Sequence, residues 1–177
     1  ARYFAQRIRC DVTGVEIQPA LAAIGRELTR RCGLEDRFQV IIGDICGVPL
    51  PEQHFDHAVS LMVMLHLADR APAWRNTFGA LKPGGKLLVE DLILTRPFEE
   101  AQRAMITRIL GAPSLVDVTS YQQEIEGAGF QILSTEDLTP LWSQRCQERY
   151  ERFTQERDLH IHTHGAEVYE ARRLFLQ

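Results

Sequence analysis

VTGVEIQPA (12–20) and VIIGDICGVPLPEQHFD (40–56) are the two stretches on which the fold turns. Each brings a short run of β-branched and apolar residues to an acid, Glu16 in the first and Asp44 in the second. Such runs read as strands, at 12–17 and 38–42. Between them Pro19 opens a helix. Leu21, Ile24, Leu28 and Cys32 recur there at helical spacing, and Gly33 is placed to end the helix in the left-handed conformation. Strand, helix and strand at these lengths form a βαβ unit, whose two strands lie parallel.

The same alternation continues outward. FDHAVSLMVML (55–65) reads as a third strand, too apolar for a one-sided edge and therefore expected to be buried on both faces. Asp69 can cap a helix that carries Trp74, Phe78 and Leu81 on one packing face, and Pro83, Gly84 and Gly85 break it. KLLVEDLIL (86–94) and FQILSTEDL (130–138) read as a fourth and a fifth strand. Residues 97–110 look helical, Ser120 with Gln123 makes a capping box for a helix that Gly129 ends, and 140–159 and 165–176 read as two more helices. Tyr121 suits either a pocket wall or the core. The expected architecture is α/β: a mostly parallel sheet with a reversed hairpin edge and helices on both faces, the strands at 12 and 38 being neighbours.

Composition narrows the function. The chain has 177 residues, 45% of them hydrophobic, which suits one globular domain. Its formal net charge of -4 argues against nucleic acid as the main partner. No apolar run reaches the ~18 residues of a membrane span, and the start does not resemble a signal peptide. Cys10, Cys32, Cys46 and Cys146 lie far apart without a CxxC pair, as expected for reduced thiols in a cytoplasmic protein. His160, His162 and His164 of HIHTH would share one face in a strand and could hold a metal, but the segment reads better as a polar connection between helices, so no metal is expected. Arg145, Arg149 and Arg152 are spaced as one solvated helix face.

In open parallel sheets a ligand lies across the carboxyl ends of the strands. Glu16, Asp44 and Asp91 mark those ends. An acid there can accept both ribose hydroxyls of a nucleoside, a device shared with NAD enzymes, or can simply be solvated. Asp44 can accept from an adenine amino group while Ile45 packs on the ring, or can stabilise a turn.

Taken together, VTGVEIQPA, VIIGDICGVPLPEQHFD, LHLADR (65–70) and LKPGGKLLVEDL (81–92), in that order, resemble the class I S-adenosylmethionine-dependent methyltransferases, with their Rossmann-like fold. The resemblance implies S-adenosyl-L-methionine as methyl donor and S-adenosyl-L-homocysteine as product. It puts Glu16 with Ile17 at the ribose, Asp44 with Ile45 at the adenine, and Ser60, Leu61 and Met62 along the methionine half. LKPGG matches the turn before the family's fifth strand. The family's first strand and Gly-rich loop, which precede a helix like ARYFAQRI, are absent from the sequence, as is the closing strand expected after YEARRLFLQ. The resemblance therefore implies a domain over 1–177 incomplete at both termini, with acceptor-cap regions at about 95–120 and 140–165.

Within the family the chain is most similar to small-molecule enzymes, those that methylate glycine, sarcosine or dimethylglycine nitrogen and those that methylate natural-product and sugar hydroxyls. In the latter a His just past the donor-facing strand and an Asp at the end of the next form the catalytic pair, which implies that role for His66 and Asp91. A neutral imidazole can take the proton of a hydroxyl nucleophile, and a carboxylate would hold its tautomer. The function expected is methyl transfer to N or O of a small polar or natural-product acceptor. The alternatives are C-methylation of a lipid- or quinone-like acceptor, and a non-catalytic nucleoside-binding or interaction module. The partner expected is the small-molecule acceptor, with no nucleic acid, no membrane, and a homodimer as the assembly to test.

Overall fold

The computed structural model describes residues 1–176. Two compact units divide the chain, Ala1–Ile132 and Leu133–Gln177. The first contains α1 (Arg2–Arg7), β1 (Val12–Glu16), α2 (Pro19–Arg31), β2 (Phe38–Ile42), β3 (Phe55–Leu61), a 3-10 turn at Met64–His66, α3 (Ala71–Ala80), β4 (Leu81–Glu90), α4 (Glu100–Leu110) and α5 (Val118–Gly127). The second contains α6 (Thr139–Gln155), α7 (Arg157–His164) and α8 (Ala166–Leu176). No helix among the described residues is long and apolar enough to cross a membrane.

Among the described residues the strands pair in parallel, in two pairs. β1 pairs with β2 in a register running from Val12 opposite Phe38 to Glu16 opposite Ile42, so the strands expected to be neighbours are neighbours. β3 pairs with β4, with His57 opposite Lys86 and Leu61 opposite Glu90. The βαβ reading around α2 therefore holds.

Four expectations need correction. No strand forms at 130–138 and no reversed hairpin edge is present among the described residues. The alternating Phe130 and Ile132 pack sideways onto the core instead, and no neighbouring backbone pairs with theirs in a ladder. β3 is not buried on both faces: Ser60 is buried, but Val59 and Leu61, which share the opposite face, are exposed. Pro83, Gly84 and Gly85 do not end the helix, which stops at Ala80 with Leu81 already in the strand; they form an irregularity inside β4, which pairs Leu81 with Phe55 before resuming at Lys86. Glycine is required at 85, because a Cβ there would lie 2.8 Å from the Lys82 carbonyl and 3.0 Å from that of Asp56. Finally, HIHTH is helical and forms the end of α7 rather than a connection.

Side-chain caps fix where α4 and α5 begin. α5 starts ahead of the Ser120–Gln123 box because Asp117 caps it, one carboxylate oxygen accepting from the Ser120 amide at 3.0 Å and the other from the Ser120 hydroxyl at 2.9 Å. The Asp117 carboxyl is accordingly held below its ordinary pKa. α4 starts at a reciprocal box between Glu99 and Gln102 and ends at Gly111 in the left-handed conformation (φ 64°). Asp69, expected as the cap of α3, lies one residue ahead of the N-cap Arg70 and accepts from the Ala71 amide at 3.0 Å. The core gathers where α3 and α5 meet, from Met64, Ala73, Trp74, Tyr121 and Ile125. Phe78, read as a packing residue, meets Phe130 edge-to-face yet stays half exposed.

Candidate active site

Glu16 and Asp44, the acids expected at a nucleoside, stand at the ends of β1 and β2. Glu16 is the last residue of β1 and opposes Ile42, so Asp44, two residues beyond Ile42, emerges beside it. The Gly43 amide donates to the Glu16 carbonyl at 3.0 Å and locks the two ends together. Each carboxylate is oriented by a local amide on one oxygen: Gln18 N–H on Glu16 Oε1 at 2.8 Å, and Cys46 N–H on Asp44 Oδ1 at 2.9 Å. The Cys46 thiol also faces Asp44, and burial together with that carboxylate pushes the thiol above its ordinary pKa. Ile17 is 62% exposed, an apolar surface next to the acid. Ile45 is half-buried, with its side chain against the core and its carbonyl accepting from Asn76 Nδ2 at 2.8 Å.

The other side lies at the ends of β3 and β4. Ser60 is buried and its hydroxyl has no partner among the described residues. Leu61 ends the strand, half exposed, and Met62 then takes a positive φ of 55° while its amide donates to the Glu90 carbonyl at 2.7 Å. A non-glycine residue in that region is strained, and such strain clusters where the chain must present something. The chain then enters the 3-10 turn that ends at His66.

His66 is exposed, and its Nδ1 lies 3.0 Å from the carbonyl oxygen of Gly111. A carbonyl only accepts, so that contact puts a proton on Nδ1, and in the neutral imidazole Nε2 then carries the lone pair. The expected carboxylate orienter is thus replaced by a backbone carbonyl at the C-cap of α4. Asp91 is engaged elsewhere. It accepts from the Tyr121 hydroxyl at 2.8 Å and from the Leu92 amide at 3.1 Å, and the Leu65 amide, next to His66, also favours its ionised form. Burial nevertheless raises the Asp91 carboxyl above the ordinary aspartate range, and it raises the Tyr121 hydroxyl strongly as well, with the Asp91 charge adding to that shift. The pair keeps its proton on the tyrosine.

Behind them sits a second layer that the sequence reading missed. The Arg70 side chain is 3% exposed and makes a bidentate pair with Glu124 at 2.7 and 2.8 Å. It also donates to the Ser114 carbonyl at 2.7 Å and lies over the Tyr121 ring at 5.4 Å, while the Ser114 hydroxyl donates to the Leu67 carbonyl. These contacts tie the turn carrying His66 to α3 and α5. The available signals are Arg70 inside LHLADR and the three-residue spacing of Tyr121 and Glu124, which puts both on one helix face.

A family model described as a methyltransferase domain matches residues 1–89. The chain belongs to the methyltransferase domain family. Among curated relatives of this methyltransferase domain, phosphoethanolamine N-methyltransferase 1 of Arabidopsis thaliana is 27% identical over 168 residues, covering 95% of this chain and 34% of that protein. Glycine/sarcosine/dimethylglycine N-methyltransferase of Actinopolyspora halophila is 30% identical over 139 residues, covering 78% of this chain and 25% of that protein. The chain therefore spans about a third or less of the length of these relatives. The structure of a Haemonchus contortus phosphoethanolamine N-methyltransferase 2, solved with phosphomonomethylethanolamine and S-adenosylhomocysteine, superposes with a TM-score of 0.90 at 20% identity, covering 99% of this chain and 41% of that one. The fold is the expected Rossmann-like α/β fold of such enzymes.

The residues present fit S-adenosylmethionine. Two oriented carboxylates at adjacent strand ends suit a ribose and an adenine amino group, and the buried, unpartnered Ser60 hydroxyl can take a polar atom of the methionine half.

Proposed function

We propose that this methyltransferase domain serves the transfer of a methyl group from S-adenosylmethionine to a nitrogen or oxygen of a small polar or natural-product acceptor. The observation that carries the reading is His66, set just past the strained Met62 turn, with Nδ1 held by Gly111 and Nε2 left as a base. Glu16 with Ile17 would hold the ribose, Asp44 with Ile45 the adenine, and Ser60, Leu61 and Met62 the methionine half. S-adenosylmethionine supplies the electrophilic methyl group, so most of the protein's work is alignment. For a hydroxyl acceptor Nε2 of His66 takes the proton, and Asp91 stabilises the turn through Tyr121 and the Leu65 amide. For an amine acceptor the same imidazole orients the free base. Segment 95–120 contributes the acceptor side, since its Gly111 touches His66.

Two measurements test this. Titration calorimetry with S-adenosylhomocysteine should show Glu16→Ala weakening binding by ~1.5–3 kcal/mol, the scale of a charge-assisted hydrogen bond, with folding unchanged. In single-turnover methyl transfer to a hydroxyl acceptor, His66→Ala should lower the rate by ~10²–10⁴-fold, leave cofactor affinity unchanged and be partly rescued by raising the pH. Full rates for both His66→Ala and Asp91→Asn at every pH would leave the pair with a structural role alone.

A further inference from the structure

The helical unit carries a cleft of about 650 Å³, bounded by Arg149 and Arg152 of α6, Glu156 at its end, His160 of α7, and Arg172 of α8. That is within the roughly 300–1,000 Å³ of small-molecule sites. Its floor is Phe153, buried, stacked on Tyr169 with ring centroids 5.0 Å apart and the planes 9° from parallel. Phe175 and Leu176 form an apolar rim.

The charges around the cleft do not balance. On α6, Glu148 and Glu151 accept from Gln144 and Gln147 at 2.8 and 2.7 Å rather than from an arginine. Glu156 faces His160 at 3.5 Å, Asp158 faces Arg157 at 3.2 Å, and Glu170 takes Arg173 at 2.8 Å. Arg149, Arg152 and Arg172 are therefore left without an ion pair among the described residues, and all three border one cleft. Like charges gathered without counter-charge raise the energy of the empty site and are relieved by an anion. Three guanidinium forks against the one carboxylate of Glu156 leave a net positive cleft, and their planar geometry matches phosphate oxygens in pairs.

We infer that this cleft binds a phosphomonoester, its phosphate on Arg149, Arg152 and Arg172 and its organic group on the rim of Phe175 and Leu176. The site is built entirely within the helical unit and does not depend on the assignment of His66 or Glu16.

The full chain should be titrated with phenyl phosphate by calorimetry, with benzoate as the monoanionic control of similar shape. Saturable binding is expected, at least about tenfold tighter for phenyl phosphate than for benzoate, and weakened about tenfold or more by either Arg152→Gln or Arg172→Gln. Both arginines are exposed, and circular dichroism checks that the variants remain folded. Flotation with phosphatidylcholine vesicles containing phosphatidic acid separates the sources. Binding abolished by the same two variants means the phosphomonoester is a lipid headgroup, and no binding to vesicles means it is a free molecule. No saturable binding of either probe, equal affinity for benzoate, or unaltered affinity in the Arg152→Gln/Arg172→Gln double variant would overturn the inference.

Discussion

The two strand pairs of the first unit carry their polar residues differently. At the ends of β1 and β2 the acids stand at the surface, each held by a neighbouring amide, and the packing under them is thin: Ala5, Ala22 and Thr29 are buried there, while Ile24, Leu28 and Ile42 remain exposed. Beyond β3 and β4 the polar residues are sunk into the densest part of the unit, where Trp74 is fully buried, Arg70 and Tyr121 are buried, and Asp91 is bonded by both Tyr121 and backbone. The contrast suits the two tasks proposed for these regions. A nucleoside brings its own hydrogen-bonding groups and needs only acceptors at fixed positions. A base that moves a proton must be aimed, and aiming requires a rigid frame behind it.

That contrast can be broken by mutation. The largest effect is expected at Trp74: Trp74→Ala should cost ~3–5 kcal/mol in urea unfolding, whereas Leu28→Ala on α2 should cost under ~1 kcal/mol. Equal losses would mean that the two halves are not packed differently. Next comes Glu124→Ala, which leaves the Arg70 guanidinium buried without its carboxylate. Because Glu124 is itself partly exposed, the loss should be ~2–3 kcal/mol, and the double variant Arg70→Leu/Glu124→Leu should recover much of it. The smallest effect is at Asp91, and it is one of pH. Its folded carboxyl is raised, so the folded state is favoured relative to the unfolded one at low pH. That advantage is lost as pH rises from the ordinary aspartate pKa, ~3.9, through the raised folded value. Asp91→Asn keeps an acceptor for Tyr121 and removes the buried charge. Thermal melts from pH 3 to 7 should therefore show the variant gaining on the parent as pH rises. A gap constant across that range would show that Asp91 titrates alike in both states.

What is legible in the sequence is local. The β1–α2–β2 unit can be read because its signals, a β-branched run, Pro19, the helical apolar spacing and Gly33, lie within one another's reach. The placement of Glu16 and Asp44 comes with it, since a strand delivers its last residue to one end whatever surrounds it. The 130–138 segment misleads because alternation records which side chains pack, and Phe130 and Ile132 do pack, but it says nothing of a backbone partner. The helix at HIHTH is hidden because three histidines have no strong helical preference and the packing of Phe153, His160 and Tyr169 decides it. Arg70 and Glu124 are 54 residues apart, and the Gly111 carbonyl that replaces Asp91 as the His66 partner is 45 residues from it. Pairings at that distance are set by how α3, α4 and α5 settle, and no window of sequence contains them.

Each of the four strands has a single strand neighbour among the described residues, so each presents an outer edge to which another strand can add, and Val59, Leu61 and Leu88 are exposed on β3 and β4. Edges of this kind template cross-β association, and neither pair is blunted by closure into a barrel. The practical consequence is colloidal. Isolated as this 177-residue polypeptide, the protein should be prone to slow, concentration-dependent association through its sheets rather than through its helices.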